Sequence, residues 1–267
     1  MKIFRVIAPE TGPAGDYGVL KGEEIHLLDR PPLLDGAKET GVIFPLKRVT
    51  SFLPPLDPPN IIALGINYSG HAREGKWEPP VAPVIFLKAT TSITGHLQPI
   101  VLPLSAPSEV DYEAELVVVI GRKAKNVSEG EALNYIFGYT CGNDVTARDC
   151  QLRLDRQWAR AKSFDTFAPI GPCIETEIDP LHLRVQSRLN GRVMQDGNTK
   201  DLIFPVPQIV SYLSHQMTLL PGTLIMTGTP AGVGFSRQPP VFLKPGDVIE
   251  VEIEGIGILT NPVVAEQ

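Results

Sequence analysis

The 267-residue chain lacks most of the features that would assign it quickly. No apolar run approaches the roughly 18 residues that a membrane helix needs, and MKIFRVIAPETG has no long apolar core of the signal-peptide kind. A cytoplasmic protein is the expectation. Net charge is -6, with no basic block and no aromatic-basic stripe, which argues against nucleic acid and anionic membrane surfaces as partners. The three cysteines, Cys141, Cys150 and Cys173, form no C-x-x-C and have no neighbouring histidine, so they read as reduced, buried thiols. There is no G-x-S-x-G, no H-E-x-x-H, no Walker loop and no G-x-G-x-x-G. A serine-hydrolase elbow, a zinc protease and the common nucleotide sites are thereby disfavoured.

Helical periodicity is scarce too, whereas glycine (24) and proline (26) are frequent. Short strands between turns fit this pattern, so the fold class is mainly β, an α+β protein. MKIFRVIA, DYGVLKG and EEIHLL read as strands of a small N-terminal module, 1–55, and PPLLDG as the break after them. SFLPPLDPPN, with four prolines, reads as a semi-rigid lead-in. A larger domain, 60–267, follows. NIIALGIN and PVIFLKA read as buried strands ending in polar residues, Asn190-Gly191 as a hairpin turn, and 205–217 as a helix with Ile209, Leu213 and Met217 on one face.

VDYEAELVVVI (110–120) carries the strongest conflict. Leu116–Ile120 suits a strand covered on both sides, yet Asp111, Glu113 and Glu115 lead into it on one parity. The plain reading is a solvated strand end. The sharper one is an oxygen-rich site for Mg²⁺, Mn²⁺ or Ca²⁺, with Asp144 as the best third ligand. If Asp144 opens a helix, Arg148 and Gln151 share its face, as a surface ion pair or as a grip on a chelated carboxylate or carbonyl. His71 and Glu74, three apart, suit a helical turn on which the acid orients the imidazole; a solvated histidine is the plain alternative. Lys88 and Lys162 are either solvated or stabilisers of an oxyanion. The loop TGTPAGVG, with Gly228 and Thr229, suits close backbone approach to a ligand or a tight turn.

Taken in order, these stretches resemble the fumarylacetoacetate hydrolase family. The resemblance rests on G-x-N-Y-x-x-H-x-x-E (65–74), P-x-x-F-x-K (83–88), D-Y-E-x-E-L (111–116), N-D-V-T-A-R-x-x-Q (143–151), A-K-S-F-D (161–165), L-N-G (189–191) with Gln195, and M-T-G-T-P-x-G-V-G (226–234). Residues 1–55 resemble the small N-terminal domain of longer bacterial members. Ala89 stands after Lys88 where some members have proline. The resemblance implies a mixed β-sandwich roll, commonly a homodimer. It implies Glu113, Glu115 and Asp144 as ligands of Mg²⁺ or Mn²⁺, and His71 with Glu74 as a water-activating dyad on a segment that closes over the site. Lys162 and Gln151 would stabilise developing negative charge, and Arg148, Lys88 and Thr229 would contact substrate. The implied substrate is a small 2-oxo acid. First choice is hydrolysis of the C–C bond of a 2,4-dioxo acid, an acylpyruvate or a diketo-deoxy sugar acid. Oxaloacetate decarboxylation and hydroxymuconate-type isomerisation use the same site, and a non-catalytic metal or organic-acid binding module is the remaining class. Trp77 either caps the site or packs on the surface.

Overall fold

The apolar run becomes the strand Ala114–Ile120, in which all seven residues are buried. Period two divides it between two cores. Leu116, Val118 and Ile120 join Val185, Val251 and Leu259, while Val117 and Val119 join Ile61, Ile174 and Met226. Each such Val, Leu or Ile contributes about 1.5–3 kcal/mol by leaving water. A computed structural model describes residues 1–34, 36–106 and 108–267 of the chain.

Ala114–Ile120 lies inside a large mixed sheet. On one side it pairs antiparallel with Leu224–Met226, which runs parallel to Ile61–Gly65, which in turn pairs with Val84–Lys88 at the sheet edge. On the other side come Ile136–Asn143, Ala168–Glu175 and then Lys2–Ile7. The N-terminal strands Lys2–Ile7, Asp16–Lys21, Glu24–Leu28 and Glu39–Pro45 therefore extend this same sheet. After PPLLDG the chain adds Glu39–Pro45 beside Glu24–Leu28, so that break falls inside the stretch 1–55. Asp35, within PPLLDG, lies outside the described residues.

A second sheet orders Arg192–Asn198, Arg184–Leu189, Val248–Ile253, Gly257–Ala265 and Ile100–Leu102. Its first hairpin turns at Asn190 (φ 52°) and Gly191 (φ 78°), the two positive angles that a type I′ turn requires. Helix Val206–Gln216 buries Ile209, Val210 and Leu213 in the core shared with this sheet.

Val84–Lys88 departs from the buried strand expected. As the last strand of its sheet it leaves Leu87 exposed, and only Lys88 is fully buried. Cys141, Cys150 and Cys173 are free and buried. No helix among the described residues is long and apolar enough to cross a membrane.

Candidate active site

The three acids of VDYEAELVVVI do not share one strand. Val110–Asp111 leaves the large sheet to pair with Thr146–Ala147, and the ladder resumes only at Ala114. Side chains take the amides at this break. Tyr112 N donates to Asp111 Oδ1 (2.8 Å), Glu113 N to Asn143 Oδ1 (2.9 Å) and Ala114 N to Gln195 Oε1 (3.0 Å). The break turns Asp111 away and brings Glu113 and Glu115 together with Asp144. Carboxylate oxygens of these three buried residues lie within 4.8 Å of one another.

Asp144 follows strand Ile136–Asn143 directly and hands its N–H to Glu113 O (2.9 Å). It does not open a helix. Thr146–Ala147 is extended, and the helical turn Cys150–Leu154 comes later. Asp144, Arg148 and Gln151 therefore share no helix face. Arg148 passes over Asp144 and bonds Asp111 Oδ2 through Nε (3.0 Å), Glu113 Oε1 through Nη2 (2.6 Å) and Gln151 Oε1 through Nη1 (2.8 Å).

Four buried carboxylates, Asp111, Glu113, Glu115 and Asp144, face three buried cations, Lys88, Lys162 and Arg148. Lys162 Nζ bridges Glu113 Oε2 (2.8 Å) and Asp144 Oδ2 (2.6 Å), and Lys88 holds the other oxygen of Asp144. Burial opposes the charge on Glu113, but the Lys162 ammonium and Arg148 guanidinium outweigh it and hold its carboxyl well below the usual range. Lys162 is likewise held up, against burial, by Asp144 and Glu113. Burial pushes the Lys88 ammonium down despite Asp144.

Glu115 is the exception. Among the described residues it forms no ion pair, and its Oε2 accepts only the Gly228 N–H (2.8 Å). Burial first, and then the charges of Asp144 and Glu113, push its carboxyl well up. A buried carboxylate beside two others, without a cation of its own, is a donor set short of positive charge. A hard divalent cation supplies that charge and takes oxygen ligands, so the residues fit one.

A cavity of about 260 Å³ opens onto this cluster. His71, Glu113, Glu115, Arg148, Gln151, Lys162 and Thr229 line it, together with Leu64, Phe86, Trp158, Leu152 and Trp77. Asp144, Glu74 and Gly228 stand just behind, each bonded to a lining side chain, and Lys88 sits further back on Asp144. Lys88 thus faces Asp144 of the cluster instead of the cavity where substrate contact was expected. Gly228, at φ 100°, spends its N–H on Glu115. Thr229 donates its hydroxyl to Ala114 O (2.9 Å) and accepts from Gln195 Nε2 (2.7 Å), so of its donors the N–H alone stays uncommitted among the described residues.

His71 and Glu74 both lie on the short helix Ser69–Glu74, with Nδ1 3.3 Å from Oε2. Both oxygens of Glu74 accept the Gly232 N–H (2.9 and 3.1 Å). Burial would raise the Glu74 carboxyl, but bonds from His71, Ser236 and Gly232 hold it low, so it stands as an anionic partner for the imidazole. Trp77 folds back edge-on to His71, ring centroids 5.3 Å apart, and lines the cavity.

Two family models cover nearly all of the chain. "Fumarylacetoacetate (FAA) hydrolase C-terminal" matches residues 60–264, and "Rv2993c-like, N-terminal" matches 1–55. The chain belongs to the fumarylacetoacetate hydrolase family. It is 51% identical over 222 residues to the fumarylacetoacetate hydrolase domain-containing protein 2 homolog of Dictyostelium discoideum, covering 78% of this chain and 72% of that one. It is 41% identical over 225 residues to the mitochondrial oxaloacetate tautomerase Fahd2a of Rattus norvegicus, covering 83% and 72%. Among solved structures, the 2-hydroxyhepta-2,4-diene-1,7-dioate isomerase of Mycobacterium marinum superposes with a TM-score of 0.87 at 41% identity, over 100% of this chain and 99% of that one.

Three residues of this family member were given no role by sequence reasoning. Asp111, outside the ligand set that the resemblance implies, is fully buried and bonded on both oxygens. Gln195 ties Ala114 and Ser187 to Thr229 and Pro230. Trp158 packs on Gly65 and Phe86 to wall the apolar end of the cavity. The parity that picked out Glu113 and Glu115 also contained Asp111; a signal for Trp158 was absent.

Proposed function

We propose that the chain is a divalent-cation-dependent enzyme that shifts a proton at the carbon beside the keto group of a small 2-oxo acid, interconverting keto and enol forms. The observation that carries this reading is shared access: His71, backed by Glu74, and the carboxylate cluster with Lys162 open onto one cavity. Glu113, Glu115 and Asp144 would hold Mg²⁺ or Mn²⁺, which when bound would polarise the keto and carboxylate oxygens of a chelated substrate. With Nδ1 turned to Glu74, His71 has Nε2 left to take the proton from carbon. The Lys162 ammonium lines the same space and is the group to stabilise the enolate oxygen. The Thr229 N–H and the Gln151 amide nitrogen, both uncommitted among the described residues, suit a substrate carboxylate. Relatives that are an oxaloacetate tautomerase and a dioate isomerase support proton transfer over bond cleavage.

Hydrolysis of the C–C bond of a 2,4-dioxo acid is the second reading, favoured by the same His71–Glu74 pair, whose geometry also suits activation of water. A panel decides between them. Enol oxaloacetate, hydroxymuconate-type diacids and acylpyruvates are offered with Mg²⁺ or Mn²⁺, and enol absorbance is followed with and without chelator. Chelator-sensitive loss of enol without new pyruvate supports isomerisation. Pyruvate plus a second acid means hydrolysis, and pyruvate plus CO₂ means decarboxylation. No turnover on any of them overturns the enzyme reading and leaves the binding module. We propose further, from the family resemblance, that the chain pairs as a homodimer; a monomer mass by analytical ultracentrifugation would oppose this.

A further inference from the structure

We infer that Asp111 is a positioning residue that ties the His71 helix to the carboxylate cluster. It does not line the cavity, and it is fully buried at the end of strand Val110–Asp111. Its Oδ1 accepts from Tyr112 N (2.8 Å) and Gly234 N (2.7 Å); its Oδ2 accepts from Phe235 N (2.9 Å) and Arg148 Nε (3.0 Å). One carboxylate therefore fixes a loop and a guanidinium together.

The loop limb leads to the helix. Phe235, held by its N–H, lays its ring over Arg148 (4.3 Å) and against Trp77 (6.1 Å), and Trp77 packs edge-on to His71. Gly232, two residues before Gly234, holds both oxygens of Glu74. The loop has little freedom to settle elsewhere. A Cβ on Gly234 would fall 1.9 Å from Val241 O and 2.5 Å from Asp111 Oδ1.

The guanidinium limb leads to the cluster. Arg148 divides itself between Asp111 and Glu113. With Asp111 as a permanent partner, Arg148 keeps its charge satisfied when Glu113 turns to a cation. Without that partner, Arg148 would draw on Glu113 alone and compete with the cation for it. The inference rests on the reading of Glu113 as a cation ligand and His71 as the base.

The test is Asp111→Asn, near-isosteric but forced to set a donor against either Arg148 or the loop amides. Mn²⁺ affinity is measured by titration calorimetry, and hydrogen–deuterium exchange is followed over residues 69–77. The expected result is a folded protein whose Mn²⁺ affinity falls roughly 10-fold or more and whose 69–77 segment exchanges faster while the sheets keep their protection. Phe235→Leu removes the ring contacts but keeps the N–H to Asp111 and the bonds of Arg148 to Asp111 and Glu113, so exchange over 69–77 should rise while Mn²⁺ affinity stays within about twofold of wild type. If folded Asp111→Asn changes only one readout or neither, or exchange rises everywhere alike, the positioning role is overturned. If Asp111→Asn fails to fold, Phe235→Leu decides, and wild-type exchange over 69–77 in that variant overturns the link to the helix. Wild-type protein that binds no Mn²⁺ overturns the cation reading and this inference together. Wild type and Asp111→Asn binding it equally overturns only the inference.

Discussion

Replacing Glu115 by glutamine should make the cation-free protein more stable and abolish its response to divalent cations. Glu115 is buried, has no cationic partner among the described residues, and offers an oxygen within 4.8 Å of others on Glu113 and Asp144. Two unit charges at that distance repel by about 3–4 kcal/mol in an effective dielectric of about 20. Lys162 bridges both neighbours and cancels part of this, leaving a penalty on the order of 2 kcal/mol. In a chain of this size that is about 4–8 °C in Tm. Glutamine keeps an oxygen for the Gly228 N–H, so the loop is not disturbed.

The pH dependence has a definite sign. The folded-state carboxyl of Glu115 is raised, so the folded protein holds a proton that the unfolded chain has already lost. Stability from this group is therefore present at low pH and is lost as pH climbs from the ordinary carboxylate range through the raised folded value. Thermal melts of both proteins in chelator, from acid to neutral pH, should show the variant drawing ahead as pH rises. Adding Mg²⁺ or Mn²⁺ should raise Tm in wild type only. A variant several degrees less stable than wild type at neutral pH, or one keeping the wild-type response to the cation, would refute the reasoning.

His71→Ala should lower kcat on the enzyme's substrate roughly 10²–10⁴-fold with Mn²⁺ affinity unchanged; turnover within a few-fold of wild type removes His71 as the base. Lys88→Met leaves the buried Asp144 with Lys162 alone, and urea melts should show a loss of about 3 kcal/mol; an unchanged midpoint would mean that Lys88 does not support Asp144. Gly232→Ala sets a Cβ 2.3 Å from Met194 O at φ 105°, so the loop must move off Glu74. It should cost about 1–3 kcal/mol in stability and lower activity; a variant with the activity and urea midpoint of wild type would show that Gly232 does not set the loop.

What could be read in the sequence divides by range. Leu116–Ile120 announced a strand covered on both sides because its period and composition are local, and Asn190-Gly191 announced its turn for the same reason. Parity placed Glu113 near Glu115, but it could not show that the ladder breaks at Tyr112, because that break is made by Asn143 and Gln195 from distant strands. Parity therefore gave Asp111 no role of its own, and its four partners come from Tyr112, Arg148 and the loop at Gly234–Phe235. The helix expected at Asp144 failed for a similar reason, since Thr146–Ala147 found a pairing partner in Val110–Asp111 that no local pattern reveals. Lys88 was seen as a cation at a strand end; its burial against Asp144 comes from the crossing of separate elements.

The most direct test of the account is calorimetric titration with oxamate, which presents a carboxylate and an adjacent carbonyl as a 2-oxo acid does. Oxamate should bind wild-type protein in the presence of Mg²⁺ or Mn²⁺, and binding should vanish with chelator and in Glu115→Gln. Binding that persists undiminished in chelator, or no binding with either cation present, would contradict a cation-centred 2-oxo acid site.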